Sequence, residues 1–310
     1  MKTALKTLAV LVYAALTPAL VQAATCSCAG VPLLSAIDTS STQPGDLYLN
    51  YSTEQHEISD LVRGSRDIRD ETDRERSSLS QTLSFSYGLA DNWALSGLVS
   101  YVVHTRDIGS SFIGEQKTRG LGDGLLLLRY SPIYITPFNR HEVGVGFGVR
   151  MPWGEDNAKH NGFTVSEDMH PSSGAWGKIA WASYTYALNQ AATMQINASA
   201  NFTYNDDDNG RGYAFGDEAN VGVGFSHSVG TKFSYSAAVR YRSTNADARN
   251  GFDIPNTGGE WVDFTPAIQY QVSDSFSVGL SGRVPISRKL DGALQFTTSY
   301  SYAVSLSYAL

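Results

Sequence analysis

The chain ends on LQFTTSYSYAVSLSYAL, residues 294–310, and this stretch decides the fold. Its even positions carry Leu, Phe, Thr, Tyr, Tyr, Val, Leu, Tyr and Leu, whereas its odd positions carry Gln, Thr, Ser and Ala. Strand side chains alternate between two faces, so one face is mostly apolar and the other is small and mostly polar. Strands of soluble proteins are mostly about five or six residues long, and a strand that crosses a bilayer needs about nine to eleven. The stretch therefore predicts that Leu294–Leu310 is the closing strand of a transmembrane β-barrel.

The beginning of the chain carries the pattern of an export signal. Lys2 and Lys6 precede an apolar run over residues 8–20, and residues 21–23 supply small side chains for a signal peptidase. The run is shorter than the roughly twenty apolar residues of a transmembrane helix. It therefore predicts a removed signal peptide over residues 1–23.

The rest of the chain divides into a short periplasmic N-terminal segment, residues 24–45, and a single transmembrane barrel, residues 46–310. Both cysteines, Cys26 and Cys28, fall in the short segment. A disulfide within C-x-C is a tight and costly ring, and metal binding would need further ligands. A local thiol pair is favoured, a disulfide stays open as the alternative, and no metal site is predicted.

The composition is that of a membrane barrel rather than a soluble domain. Hydrophobic residues make up 42% of the chain and charged residues only 17%, below the roughly 25% of soluble domains. The 29 Gly, 17 Tyr and 13 Phe suit close-packed strands and aromatic girdles at the lipid interfaces. A net charge of −7 argues against nucleic acid as a partner. The predicted partners are outer-membrane lipid and lipopolysaccharide, the barrel-assembly machinery and a small-molecule solute.

Period-two alternation recurs along the chain and predicts twelve strands, an even number. The predicted strands are Asp46–Ile58, Ser78–Gly88, Trp93–Arg106, Gly120–Pro132, Glu142–Pro152, Trp176–Leu188, Ala192–Asn205, Gly216–Ser228, Lys232–Thr244, Glu260–Val272, Ser275–Pro285 and Leu294–Leu310. The predicted fold class is all-β, a single antiparallel transmembrane barrel of about 12 strands in the outer membrane of a Gram-negative bacterium.

The connections between the predicted strands alternate in length. Turns such as 89–92 and 229–231 are short, whereas loops such as 59–77 and 153–175 are long and polar. Outer-membrane barrels have short periplasmic turns and longer external loops. The alternation therefore predicts that the long loops face the exterior and that both termini are periplasmic.

The inward faces of the predicted strands are polar and carry ionisable residues. A charge facing lipid near the midplane costs about 2–4 kcal/mol, so these residues are predicted to line an interior. Gly144, Gly146 and Gly148 are expected to leave open volume beside them. The candidate pore-lining residues are Glu54, Asp123, Arg129, Glu142, Arg150, Glu218, Arg240, Arg242, Asp263 and Arg283. They form either ion pairs that plug a narrow barrel or a charged constriction that filters solutes, and the constriction is favoured.

No catalytic residue and no cofactor are predicted. The six histidines have no neighbouring signature of an activated nucleophile, and His104, His160 and His170 are expected to be solvated. An outer-membrane hydrolase is therefore the third choice of function. It stands behind a channel and behind a structural or adhesive barrel with a closed lumen.

Two local motifs and the signal peptide carry a family resemblance. The motifs are the strand-turn-strand stretch SYGLADNWAL, residues 86–95, and the glycine-rich GLGD, residues 120–123. Together these features resemble the proteobacterial outer-membrane channels associated with phenol-degradation gene clusters. The resemblance implies passive uptake of small compounds, aromatic or otherwise poorly polar, and it assigns no catalytic or ligand residues. The predicted function is passive diffusion of a small solute through the outer membrane.

Overall fold

A computed structural model describes residues 43–70, 74–107, 114–205 and 208–310. The described chain forms a closed antiparallel β-barrel with short strands added in the loops. No helix in this part of the chain is long and apolar enough to cross a membrane. The predicted signal peptide and the pair Cys26 and Cys28 lie outside the described residues.

Within the described residues the main sheet has thirteen strands. Two of them, Gln116–Leu121 and Gly124–Ile133, pair with the same neighbour and share one position in the wall. The barrel therefore has twelve strand positions, and the predicted fold class is confirmed. We number them β1 Leu47–Glu57, β2 Glu75–Ala90, β3 Trp93–Asp107, β4 Gln116–Leu121 with Gly124–Ile133, β5 His141–Met151, β6 Gly177–Ala187, β7 Met194–Asn205, β8 Glu218–Val229, β9 Phe233–Thr244, β10 Gly259–Gln271, β11 Phe276–Leu290 and β12 Tyr300–Ala309.

The barrel closes where β1 pairs with both β2 and β12. Tyr48 lies opposite Ala309, and ten consecutive pairs run up to Glu57 opposite Tyr300. Every other strand pairs with its neighbours in chain order. Closure leaves no free sheet edge in the membrane, where an unpaired backbone group would find no water.

The closing strand is shorter than the predicted Leu294–Leu310. Residues Gln295–Thr297 leave the wall and pair with the loop strand Asp60–Arg63. The wall partner β1 ends at Glu57, so the residues before Tyr300 have no partner in the β1 ladder. Phe296 is instead buried against Ile58 and Leu61. The alternation of residues 294–299 thus belongs to a loop sheet and not to the lipid face.

The outward faces of the strands are apolar and exposed, as the alternation predicts for a lipid-facing surface. Tyr302, Val304, Leu306 and Tyr308 on β12 are all exposed, whereas Ser301 and Ser307 on the other face are buried. Exposed apolar residues recur in the same way on the remaining strands. Because a charged side chain that faces lipid destabilises the barrel, polar substitutions on this face should be poorly tolerated.

The loops at one end of the barrel carry their own small sheets. Asp60–Arg63, Arg66–Ile68 and Gln295–Thr297 form one, and Tyr213–Ala214, Ala248–Arg249 and Phe252–Asp253 form another. A hairpin of Lys159–His160 and Phe163–Thr164 is followed by a short 3₁₀ turn, Glu167–Met169. The connections at the other end are shorter. The predicted alternation of connection lengths is therefore present in the fold.

Candidate solute cavity

An apolar cluster lies inside the barrel against strands β3 to β6. Its members are almost fully buried: Leu98, Leu125, Leu127, Ile179 and Trp181. Their neighbours Leu126 and Leu128 point the other way and are exposed to lipid. The expectation of a uniformly polar lumen is therefore wrong for this part of the wall, which we call the packed wall.

Glycines of β5 make room for this cluster. A Cβ atom on Gly144 would lie 3.1 Å from two ring carbons of Trp181, and one on Gly148 would lie 3.0 Å from Cδ1 of Leu127. The predicted open volume beside Gly144, Gly146 and Gly148 is thus occupied by side chains from neighbouring strands. Glycine in a strand often marks a site where another group approaches the backbone closely, and the glycines of β5 do so here.

The wall formed by β7 to β9, which we call the open wall, is polar and less crowded. Its inward residues on β7 are Asn197, Ser199, Asn201, Thr203 and Asn205. A Cβ atom on Gly222 of β8 would meet nothing closer than 3.4 Å. Between the two walls lies a cavity of about 430 Å³. Val102, Leu125, Ile179 and Trp181 supply its apolar side.

Most of the ionisable candidates near the cavity form pairs. Arg240 Nη2 lies 2.6 Å from Asp263 Oδ2, and Arg242 Nε lies 2.8 Å from Glu218 Oε2. Arg150 Nε lies 3.3 Å from Asp123 Oδ2. The first two pairs join adjacent strands, and Asp123, in the break of β4 between Leu121 and Gly124, lies beside β5, so the ion pairs run along the wall and do not cross the lumen.

The fourth pair skips one strand. Arg283 Nη1 on β11 lies 3.3 Å from Glu54 Oε1 on β1, and Ser301 of the intervening β12 donates a hydrogen bond to the same carboxylate. His56 Nε2 is 3.2 Å from Glu54. A mostly buried carboxylate with several donors is well satisfied, so Glu54 stabilises the wall where β1, β11 and β12 meet.

Six of the ten sequence candidates line the cavity: Asp123, Arg150, Glu218, Arg240, Arg242 and Arg283. Asp263 and Glu54 lie beside it as ion-pair partners. Arg129 is fully buried near the short-turn end, where it donates hydrogen bonds to Ser86 and Ser96. Glu142 is partly buried at the short-turn end of β5. Arg129 and Glu142 thus lie away from the cavity.

A loop folds into the barrel mouth and partly covers the cavity on the long-loop side. Glu167, Asp168, His170 and residues 171–173 of this inner loop, defined as residues 153–175, face the cavity. Ser172 Oγ donates a 2.5 Å hydrogen bond to Asp123, and Thr118 Oγ1 donates one to the carbonyl of Met169. Sequence reasoning missed these residues. The adjacent acids of the Ser166-Glu167-Asp168 stretch were their one visible signal.

Two histidines expected at a solvated surface are buried. His104 on β3 is only 3% exposed, and His170 is 6% exposed. His170 Nδ1 accepts a hydrogen bond from the backbone N–H of Ala158. Burial, followed by the nearby charge of Arg211, lowers the pKa of His170. The ring is therefore neutral near pH 7, which suits an accepting Nδ1.

Glu167 and Asp168 of the inner loop are held ionised by arginines. Burial opposes ionisation of Glu167, but hydrogen bonds and charge from Arg211 hold the pKa of this carboxyl below its usual value. Burial likewise opposes ionisation of Asp168, and the charges of Arg76 and Arg106 lower its pKa. Both carboxylates are therefore anionic at neutral pH, each against its own arginine partners.

The fold matches solved outer-membrane barrels. An outer-membrane channel from Pseudomonas putida F1, of the COG4313 group, superposes with a TM-score of 0.69 at 12% identity, over 88% of this chain and 98% of the channel. The β domain of the Bordetella autotransporter BrkA superposes with a TM-score of 0.50 at 12% identity, over 87% and 100% of the two chains. No protein-family model and no curated protein sequence matches the chain.

The described chain forms a closed twelve-position barrel with an apolar outer face, and its overall fold is shared with these outer-membrane proteins. The fold class is therefore that of bacterial outer-membrane β-barrels. Identities of 12% establish the shared fold and assign no activity.

Proposed function

We propose that the protein is an outer-membrane channel for the passive diffusion of a small solute. The observation that carries this proposal is the cavity of about 430 Å³ between the packed wall and the open wall. Small-molecule sites are typically about 300–1,000 Å³ in volume, with apolar walls and a few polar groups. The similarity to the Pseudomonas channel supports the same function.

The solute we favour is poorly polar, with aromatic compounds among the candidates. Trp181, Ile179 and Leu125 give one side of the cavity an apolar surface. Across from them, Asn201 and Asn220 offer amide groups. The arginines beside the cavity are paired with carboxylates, so no strong field of one sign would select an ion. A small neutral molecule with one flat apolar face fits this combination of groups.

The rival function is a structural or adhesive barrel with a closed lumen. The observation that favours it is the inner loop, which bonds to several parts of the barrel mouth. Conductance separates the two functions. Purified protein in planar bilayers should give discrete ion-current steps, and benzamide should reduce the current more than acetamide at equal concentration. A folded barrel without current steps would favour the closed lumen.

The ion preference of this channel tests whether the paired arginines line the solute path. Replacing Arg240 and Arg242 with Gln leaves Asp263 and Glu218 without these partners. Charges in a narrow passage act at short range, so the cation-to-anion permeability ratio should rise by roughly threefold. The mirror variant, Glu218→Gln with Asp263→Asn, should shift reversal potentials in a salt gradient the other way. Unchanged reversal potentials in both folded variants would place these pairs outside the path.

The cellular setting follows from the proposed role. Residues 1–23 act as the export signal and residues 24–45 as a periplasmic segment, and the barrel-assembly machinery inserts the barrel. The long loops then face the cell exterior among lipopolysaccharide. Labelling an Asn161→Cys variant on intact cells, in a background lacking Cys26 and Cys28, tests the orientation, with Asn92→Cys on a short turn as the control. Labelling of the Asn92→Cys variant alone would mean that the short turns, and not the long loops, face the cell exterior.

A further inference from the structure

We propose that the adjacent residues Glu167 and Asp168 form a crossbeam over the barrel mouth that sets the size limit for solutes. This inference rests on the proposed channel function and names the groups that determine its selectivity. The two side chains belong to one short 3₁₀ turn, yet their partners stand on opposite sides of the barrel.

Asp168 is fixed to the side of β2 and β3. Arg76, at the loop end of β2, donates from Nη1 to Asp168 Oδ2 at 2.5 Å and also bonds to the backbone carbonyl of Asp168. Arg106 on β3 lies 3.7 Å from the same carboxylate. The side chain of Arg76 is only 3% exposed. Charge-assisted, water-shielded bonds of this kind are stronger than exposed ion pairs.

Glu167 is fixed to the opposite side. Arg211, in the loop between β7 and β8, lies 2.6 Å from Glu167 Oε2 and also donates from Nε to both oxygens. Asn209 of the same loop donates to Oε2 at 3.0 Å. Arg249, in the loop between β9 and β10, lies 3.1 Å from Oε1. One carboxylate therefore ties two further loops to the inner loop.

The order of strands shows that these contacts bridge the barrel mouth. Positions two and eight of a twelve-position ring lie opposite each other, and the contacts of Asp168 and Glu167 fall beside those positions. On the intervening side Pro171 lies close to Gly120 and Gly122, because a Cβ atom on Gly120 would lie 3.4 Å from its Cγ and one on Gly122 would lie 3.1 Å from its carbonyl oxygen. The cavity lies directly beneath, since Glu167 and Asp168 both line it. Solutes that reach the cavity from the long-loop end must pass beside the crossbeam.

Neutral solutes of graded size test this inference in proteoliposomes. Glu167→Gln with Asp168→Asn keeps the side-chain volumes and removes both charges, so the crossbeam should loosen. The swelling rate with sucrose should rise about tenfold while that with glycerol changes less than about twofold, because only the larger solute meets the obstruction. The matched control is Glu155→Gln, an exposed acid of the same loop whose carboxylate accepts a hydrogen bond from the nearby backbone N–H of Asn157.

A second variant frees the other end of the span without altering the inner loop. Arg211→Gln with Arg249→Gln changes two residues outside the barrel wall and should give the same rise with sucrose. Heat-modifiable migration shows that each variant is folded. If both variants fold, pass glycerol and still exclude sucrose as the unaltered protein does, the crossbeam is not the size filter and the channel function stands. If the unaltered protein passes neither ions nor glycerol, the channel function fails and this inference fails with it.

Discussion

The packed wall of β3 to β6 and the open wall of β7 to β9 both present apolar side chains to lipid. They differ on the lumen side, which is apolar and filled in the packed wall and polar and less crowded in the open wall. Trp181 and Leu127 fill the inside of the first, whereas Asn197 and Ser199 leave space inside the second. Lipid favours apolar outward residues along the membrane-spanning part of each strand. The inward residues are under no such constraint, so the function of this barrel is encoded on its inner face.

Removing the indole of the packed wall should have the largest effect on stability. Trp181 is 6% exposed and packs on Gly144 and the leucines of the cluster. Large aromatic-to-alanine changes in a packed core cost about 3–5 kcal/mol, so Trp181→Ala should lower the urea midpoint of refolded barrel substantially. The exposed Trp176, just before β6, is the control, and Trp176→Ala should change the midpoint little. Equal small losses in the two variants would show that the packed wall is not a core.

The next comparison places one methyl group on each wall. A Cβ on Gly148 would lie 2.5 Å from the carbonyl oxygen of Leu126, which cannot move without disturbing the ladder. A Cβ on Gly222 meets nothing closer than 3.4 Å. Overpacking costs about 1–3 kcal/mol, so Gly148→Ala should destabilise the barrel by that amount and Gly222→Ala by much less. Heat-modifiability at rising temperature ranks the two variants, and a reversed order would contradict the assignment of the walls.

The outer face was predictable because its rule is local. Apolar residues at every second position suffice to assign Tyr302, Val304 and Leu306 to lipid without knowledge of any other strand. The prediction that residues 294–299 belong to the closing strand was wrong because of a feature elsewhere in the chain. Those residues alternate as well, but β1 ends at Glu57, and nothing in the closing strand itself reports the length of its partner.

The inner face was only partly predictable. Six of the ionisable candidates line the cavity. The glycines of β5, in contrast, can be interpreted only together with Trp181 and Leu127 on other strands. One signal for the packed wall was available, since Ile179 and Trp181 share a face opposite Lys178 and thus invert the expected polarity of that strand. The inner loop gave less warning, because Asp168 meets Arg76 across 92 residues of sequence.

The smallest effect should appear on the inner loop, which covers the cavity between the two walls, when the pH falls. His170 accepts the N–H of Ala158 only while its ring is neutral, and burial keeps its pKa below the usual 6.5. A histidine with a lowered folded pKa contributes its full stability above the unfolded value and loses it as the pH falls below that value. The groups that face it are Arg211, Glu167, Asp156 and Asp168, and the lowered pKa values of Glu167 and Asp168 keep these two acids ionised at pH 5.

Amide hydrogen exchange of the inner loop, corrected for intrinsic rates, should therefore be faster at pH 5 than at pH 7. The free energy of opening of the inner loop should fall by about 1 kcal/mol, which is the net contribution of one buried hydrogen bond. His170→Asn supplies the control, because its side-chain oxygen can accept the same N–H and does not titrate in this range. In that variant the protection of the loop should be nearly equal at the two pH values. If the variant shows the same acid-dependent loss as the unaltered protein, another group opens the loop, and the buried His104 on the packed wall is then the next to replace.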